Sequence, residues 1–452
     1  MAQELKNVWL WLSTTDLRIE LRQLKDEGRD VSPIKGKLQR LVKLGDDRLS
    51  KPENQQRAAA LLDEAQRLKM RKDYEFDEPS DLAGIRKLRP RGPRRYKKRL
   101  PDRVLLDRVT GAWLGRCAGC LLGKPIEGVR TAELWDFLKL SRQYPLERYI
   151  RFGVRGKARL KHPSLVARAA YDKIDHMPID DDTNYTTMGY LIVKTYGPDF
   201  TPADVAQFWL GNVPLLATCT AERVAYRNLA LQVQPPASAS FRNPHREWIG
   251  AQIRADAFGY VNMGNPQRAA EFAWRDACIS HIKNGIYGEM LIAAMIAAAS
   301  YANDTTELLK AGLSEIPRTS RLGAEITEVM AWHRQGLSYD EAVVRIHERW
   351  DEHNAHDWCH TISNAAICAI ALLWGEGDFG KSVCRAVQPC FDTDCNGATV
   401  GSIMGMMLGA DALPSEWTDR LCNTLKTSLT DCGTVKITDI AGETFKTFKE
   451  IL

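Results

Sequence analysis

The sequence predicts an all-α protein on three observations. Apolar residues recur at helical spacing in almost every long segment, strand-like alternation is scarce, and two apolar runs carry a glycine at every fourth position. With 452 residues, 44% of them hydrophobic and 26% charged, the chain can bury one large core and carry an appendage. The net charge of +5 is too small for that length to predict a nucleic-acid or membrane partner unless it is locally clustered. The eleven cysteines are odd in number, several lie in helical stretches (Cys117, Cys278, Cys368, Cys422), and the opening MAQELKNVWLWL lacks the pattern of a signal peptide. Reduced thiols in a cytoplasmic protein are expected. Cys117 and Cys120 form a CxxC inside a glycine-punctuated helical run, away from any βαβ pattern, which argues against redox or zinc chemistry.

Residues 1–85 read as a helical extension, with Leu17, Leu21 and Leu24, then Ile34, Leu38, Leu41 and Val42, each marking one apolar face. Residues 86–102 follow as a basic linker. Its core, RKLRPRGPRRYKKR, holds two prolines and a glycine that deny it a regular helix. Such a block can bind phosphate, but a solvated linker lying on an acidic neighbouring surface is the commoner arrangement, so no nucleic-acid partner is predicted. From 103 to 452 the pattern is that of a helical bundle. Tyr185/Met188/Ile192/Tyr196, the alanine-rich run from Tyr287 to Ala299, and Thr361 to Trp374 are its clearest helices.

In GAWLGRCAGCLLG the glycines at 111, 115, 119 and 123 form one stripe without side chains, and GATVGSIMGMMLG repeats the device at 397, 401, 405 and 409. Each glycine costs about 1 kcal/mol relative to alanine in a helix, so close approach of two backbones has to compensate. Antiparallel packing of the stripes would bring Glu127, after the first, to Asp392 and Asp394, before the second. Asp180, Asp181 and Asp182 open a further helix, where a lone aspartate is ordinarily just an N-cap. Three in a row exceed what capping needs. Their repulsion calls for cations or protons, and an all-oxygen donor set suits a hard divalent ion.

Taken in order, these blocks resemble the ADP-ribosylglycohydrolase family, also called ADP-ribosyl-acceptor hydrolases, from Asp107 to about Asp411. The first glycine helix with Pro125 and Glu127, then Asp181-Asp182-Thr183, then Asp392-Thr393-Asp394 are similar to its three ordered motifs. The resemblance implies an all-α orthogonal bundle with two Mg²⁺ ions in a cleft, Mn²⁺ being the alternative. It also implies cleavage of the bond joining the distal ribose of ADP-ribose to an acceptor. Carried over by position, Asp181, Asp182, Asp392 and Asp394 become metal ligands and Glu127 sits beside them. Asp180 and Cys395 stand where family members often carry threonine. A thiol serves a hard cation poorly, so Asp180 is expected to ligate, Cys395 is not, and Asn396 offers an amide oxygen nearby.

RDACISHIKNGIYGEM resembles the family's middle motif and makes His281 and Asn284 candidates for the substrate cleft, although a lone buried histidine is more often a satisfied core residue. In FRNPHREWIGAQIRADAFG, Asn243, Glu247, Arg254 and Asp256 either line the pocket or form a buried salt-bridge network. Trp358, His360 and Asn364 either meet a sugar or cap and pack. Glycosidic cleavage passes through an oxocarbenium-like state, with Glu127 or Asp182 expected to manage the proton of the attacking water. The substrate is expected to be an ADP-ribosylated acceptor or a small molecule. Hydrolysis of simple nucleosides or other glycosides, and a non-catalytic ADP-ribose or sugar sensor, are the competing readings.

Overall fold

The computed structural model describes residues 7–452, and helices dominate them. The only strands among the described residues are Thr424–Lys426 and Thr434–Lys436. The all-α expectation therefore holds. At the centre lie the two glycine helices, Asp102–Gly123 and Thr393–Leu408, packed antiparallel. Gly111 faces Gly405, Gly115 faces Gly401 and Gly119 faces Gly397, so that a Cβ on any of them would strike the carbonyl oxygen of its partner. Backbone lies directly on backbone, which recovers the propensity lost at each glycine through van der Waals contact and Cα–H···O approach.

Two further helices, Lys283–Ala299 and Thr361–Trp374, complete the core and are apolar all round because almost every face of them is buried. The C-terminal helix Ile437–Glu450 closes over the first glycine helix, and Trp113 Nε1 donates to Thr444 Oγ1 at 3.1 Å. The hairpin pairs Thr424 with Lys436 and Lys426 with Thr434. It also grips the segment leading to the three aspartates, for Met177 N donates to Thr424 O and Lys426 N to Met177 O, at 2.8 and 3.0 Å. Four residues later the aspartate helix Asp181–Tyr196 begins, with Asp180 as its N-cap.

The N-terminal helices have an apolar cluster of their own, built from Leu17, Leu24, Ile34, Leu38 and Leu62 among others. The opposite face of helix Thr14–Asp26 is polar and nevertheless buried. Asp16, Glu20 and Gln23 follow at i, i+4 and i+7, with Glu27 as C-cap, and none is more than 4% exposed. Together they grasp the segment Asn243–Glu247. Arg246 pairs with Glu20 at 2.6 Å and Glu27 at 2.7 Å, His245 meets Asp16 at 3.1 Å, and Gln23 donates to Glu247 at 2.9 Å. Glu247, read as pocket lining or salt-bridge network, thus belongs to the network.

The basic segment differs from expectation at its start. Asp81 caps a helix over Leu82–Leu88, so Arg86 and Lys87 still belong to a helix, and the chain turns irregular only from Arg89, where Pro90 and Pro93 follow. Beyond that point it lies on acidic neighbours. Arg89 and Arg94 pair with Glu315 at 2.5 and 3.2 Å, and Tyr96 donates to Glu307 at 2.9 Å.

Two predictions follow from this packing. On a free helix Gly119→Ala would stabilise by about 1 kcal/mol. Here the added methyl meets the carbonyl of Gly397, which cannot yield, and the change should destabilise by about 3 kcal/mol, readable as a lower chemical-denaturation midpoint. The second concerns His356, which ties the extension to the body. Its Nδ1 accepts from Trp248 Nε1 at 3.2 Å and its Nε2 donates to Asp26 at 3.1 Å. Burial pushes its pKa down to about 4, against the pull of Asp26. The unfolded chain therefore binds more protons between about pH 6.5 and 4, and stability is lost as pH falls through that window, by about 3 kcal/mol at most from this residue. His356→Gln should flatten the corresponding slope of stability against pH.

Candidate metal centre

Each acidic side chain is delivered by an element whose position is already fixed. The carbonyl of Gly123, at the end of the first glycine helix, accepts from Thr393 Oγ1 at 3.0 Å, so Glu127 and the Asp392–Asp394 turn are held side by side. Cys390 and Phe391, just before that turn, both adopt left-handed backbone, with φ of 63° and 61°. Consecutive left-handed residues that are not glycine are costly and persist only where the surroundings impose them. Asn364 fixes the turn further, since its Oδ1 accepts from Asp392 N at 3.2 Å and from Asn396 Nδ2 at 2.8 Å.

The aspartate helix supplies the other half. Asp180 Oδ1 caps it by accepting from Asp182 N at 2.9 Å, and Asp180 Oδ2 holds Lys124 at 2.6 Å. Asp182 is fully buried, with Oδ1 on Arg116 at 2.8 Å. Arg116 also pairs with Asp256 at 3.1 Å and donates to Ile253 O at 2.7 Å, so one guanidinium ties the first glycine helix to the aspartate helix. Sequence reasoning missed Arg116 and Lys124. The signal for both was a cation in or beside an apolar glycine helix that otherwise excludes charge.

Donor oxygens of Glu127, Asp392 and Asp394 lie within 4.8 Å of one another, and Asp394 also groups with Asp182 and Cys395. Asp182 Oδ2 and Asp394 Oδ1 are buried and have no hydrogen-bond partner. Burial, then the neighbouring carboxylates, push Asp181 and Glu127 up to about 7 and Asp394 to about 8; Asp392 and Asp182 are raised too. Crowded carboxylates with orphaned oxygens fit divalent cations, with Asp394 common to two groups. The Cys395 thiol is also grouped with them, and burial keeps it protonated.

Glu127, Asp181, Asp392 and Asp394 open into a cavity of about 640 Å³. Asp180 and Asp182 sit behind its wall, so Glu127 is the one of the two acid–base candidates that reaches the space. The five expected substrate contacts are placed elsewhere. Asn243 donates to Ala239 O at 2.9 Å and Ser280 O at 3.1 Å; Arg254 is locked on Asp276 and Glu222 at 2.5 and 2.6 Å. His281 meets Ser280 Oγ at 2.8 Å, Asn284 donates to Glu78 at 2.8 Å and to Glu247 at 3.1 Å, and Asn396 is bound to Asn364. All are buried and none borders the cavity; their polar groups are on protein partners except His281 Nε2, which has none and lies 3.9 Å from Glu222. Among the other candidates Trp358 does border it, whereas His360 caps its own helix.

No helix among the described residues is long and apolar enough to cross a membrane. No curated protein matches the chain. A solved structure described as an ADP-ribosylglycohydrolase-related protein complex is similar at 17% identity and a TM-score of 0.48, covering 77% of this chain and 100% of that one. The ADP-ribosylglycohydrolase family matches residues 101–449. With its ordered glycine helices and acidic motifs spanned by that match, the chain belongs to the ADP-ribosylglycohydrolase family.

Proposed function

We propose that the protein is a metal-dependent hydrolase of the bond at the anomeric carbon of a ribose, with release of ADP-ribose from an acceptor as its first candidate reaction. The observation that carries the reading is the convergence of Glu127, Asp181, Asp392 and Asp394 on one cavity, with orphaned carboxylate oxygens among the buried acids. Asp181, Asp392 and Asp394 would hold divalent ions, Mg²⁺ or alternatively Mn²⁺, with Asp182 behind them. Asp180 steadies Lys124 and the helix start. Two such ions would supply Lewis-acid polarisation and a template for the sugar hydroxyls. Glu127, exposed toward the cavity, takes the proton from the attacking water, while the remaining carboxylates favour positive charge on the ribose. The proposed layout is an extension over 1–85, a linker over 86–102 and a catalytic domain over 103–452. Eleven unpaired cysteines support a cytoplasmic setting.

A second reading, hydrolysis of simple ribosides, is favoured by one feature. The described lining of the cavity holds seven carboxylates and no lysine or arginine, which is a poor seat for a pyrophosphate. Metal-stripped protein should gain several degrees of thermal midpoint with Mg²⁺ or Mn²⁺ at about 100 times Kd, equivalent to about 2.7 kcal/mol. It should then release either ADP-ribose from a conjugate or a base from a riboside. Asp394→Ala should lose the shift and lower kcat/KM by at least about 100-fold. Unchanged metal stabilisation and turnover in that variant would sink the proposal.

A further inference from the structure

The cavity has a wall that the family match does not include. Trp9, Trp11, Asp16, Ile19 and Asp46, all from the N-terminal extension, border the same space as Glu127, Asp181, Asp392 and Asp394. The wall is firmly mounted. Arg223, itself buried, donates to Val8 O at 3.3 Å and to Leu216 O at 3.0 Å, and its guanidinium lies 4.8 Å from the Trp9 ring centroid. Gln55 clamps Leu12 by accepting from its N–H and donating to its carbonyl, at 2.9 and 2.8 Å. Asp46 accepts from Thr14 N at 2.7 Å, and Asp16 is held by Ser13 and His245. Trp9 is kept at φ 64°, a conformation a bulky residue adopts only under constraint.

Four tryptophans border the cavity, and three are engaged with neighbours. Trp9 has Arg223, Trp248 has His245 and His356, and Trp358 has Arg130 at 5.3 Å. Trp11 has no aromatic or cationic partner among the described residues and is only half-buried. An indole free to stack, on a cavity that the exposed carboxylate of Asp46 also borders and whose described lining holds no lysine or arginine, selects for a flat ring that carries N–H donors and no negative charge.

We propose that the extension forms the specificity wall of the site and that Trp11, with Asp46, binds a nucleobase-like planar nitrogen heterocycle attached to the ribose. This rests on the proposed ribosyl hydrolase reading for the position of the sugar but not for the existence of the ring site. Binding alone therefore tests it. Metal-loaded full-length protein is titrated calorimetrically with adenosine, guanosine, cytidine, uridine and N1-methyladenosine, and with ribose as a probe lacking the ring. At least one nucleoside should bind saturably. Its affinity should fall at least about tenfold in Trp11→Ala, recover in Trp11→Phe, and weaken in Asp46→Asn, which keeps an acceptor for Thr14 N. Ribose should bind these variants and the parent alike. Equal nucleoside affinity in the parent and Trp11→Ala, or no saturable binding of any nucleoside up to millimolar concentration, overturns the wall. Turnover of the bound nucleoside, measured alongside with Asp392→Ala as control, tests the hydrolase reading separately. Ring binding without turnover leaves the wall and removes the reaction.

Discussion

Everything in the site depends on the contact between two glycine helices. Because Gly111, Gly115 and Gly119 meet Gly405, Gly401 and Gly397 backbone to backbone, the helices can approach no closer and slide little before a carbonyl strikes a Cα. A contact made by side chains can repack when one of them changes rotamer; one made by main chain has no such freedom. The last pairing in the row brings Gly123 against Thr393 and Asp394 N, so the register that seals the core also sets where Glu127 stands relative to Asp394.

The same packing forces like charges together. Asp180, Asp182, Asp392 and Asp394 are at most 5% exposed, and bringing carboxylates that close in a dry environment is unfavourable without counter-charge. Part of that charge is built in. Arg116 takes Asp182 and Asp256, and Lys124 takes Asp180. Neither reaches Asp392 or the orphaned Asp394 Oδ1, so the residual imbalance lies on the cavity side of the cluster, where an external cation can settle. Leaving that part uncompensated is what distinguishes a binding site from a buried salt-bridge network. Arg254, inserted among Glu222, Asp276 and Glu289, supplies an internal cation to its cluster, of whose acids only Glu222 borders the cavity.

The sequence made some of this legible for identifiable reasons. A glycine every fourth residue makes a distinctive stripe on a helix, and three adjacent aspartates exceed what capping uses, so the central pair and the acids gathered at its ends could be read from the pattern. Asn243, Arg254, His281, Asn284 and Asn396 could not be sorted in that way. Their chemistry suits a ligand and a buried network equally, and only the three-dimensional partner decides. The first helix misleads for a related reason. Leu17 and Leu24 advertise one buried face, but nothing in the pattern says that Asp16, Glu20 and Gln23 are buried as well, since a polar stripe ordinarily faces water. What buries it is Arg246 and its neighbours, more than two hundred residues away.

That docking changes how the extension should be understood. A polar face buried through charge pairs is oriented far more strictly than one buried through leucines, because each pair tolerates only a small displacement before a charge is stranded. Arg246 with Glu20 and Glu27, His245 with Asp16, and His356 with Asp26 therefore specify the angle at which the extension meets the body. The chain just before that helix inherits the angle and carries Trp9 and Trp11 to the cavity mouth. The arrangement divides the work between two parts of different origin in the chain. The family core fixes the carboxylates through main-chain contact that a side chain at any of the facing glycines would break, while the wall facing them is held by side-chain pairs that individual substitutions can retune. Specificity can then change in the extension without disturbing the chemistry in the core.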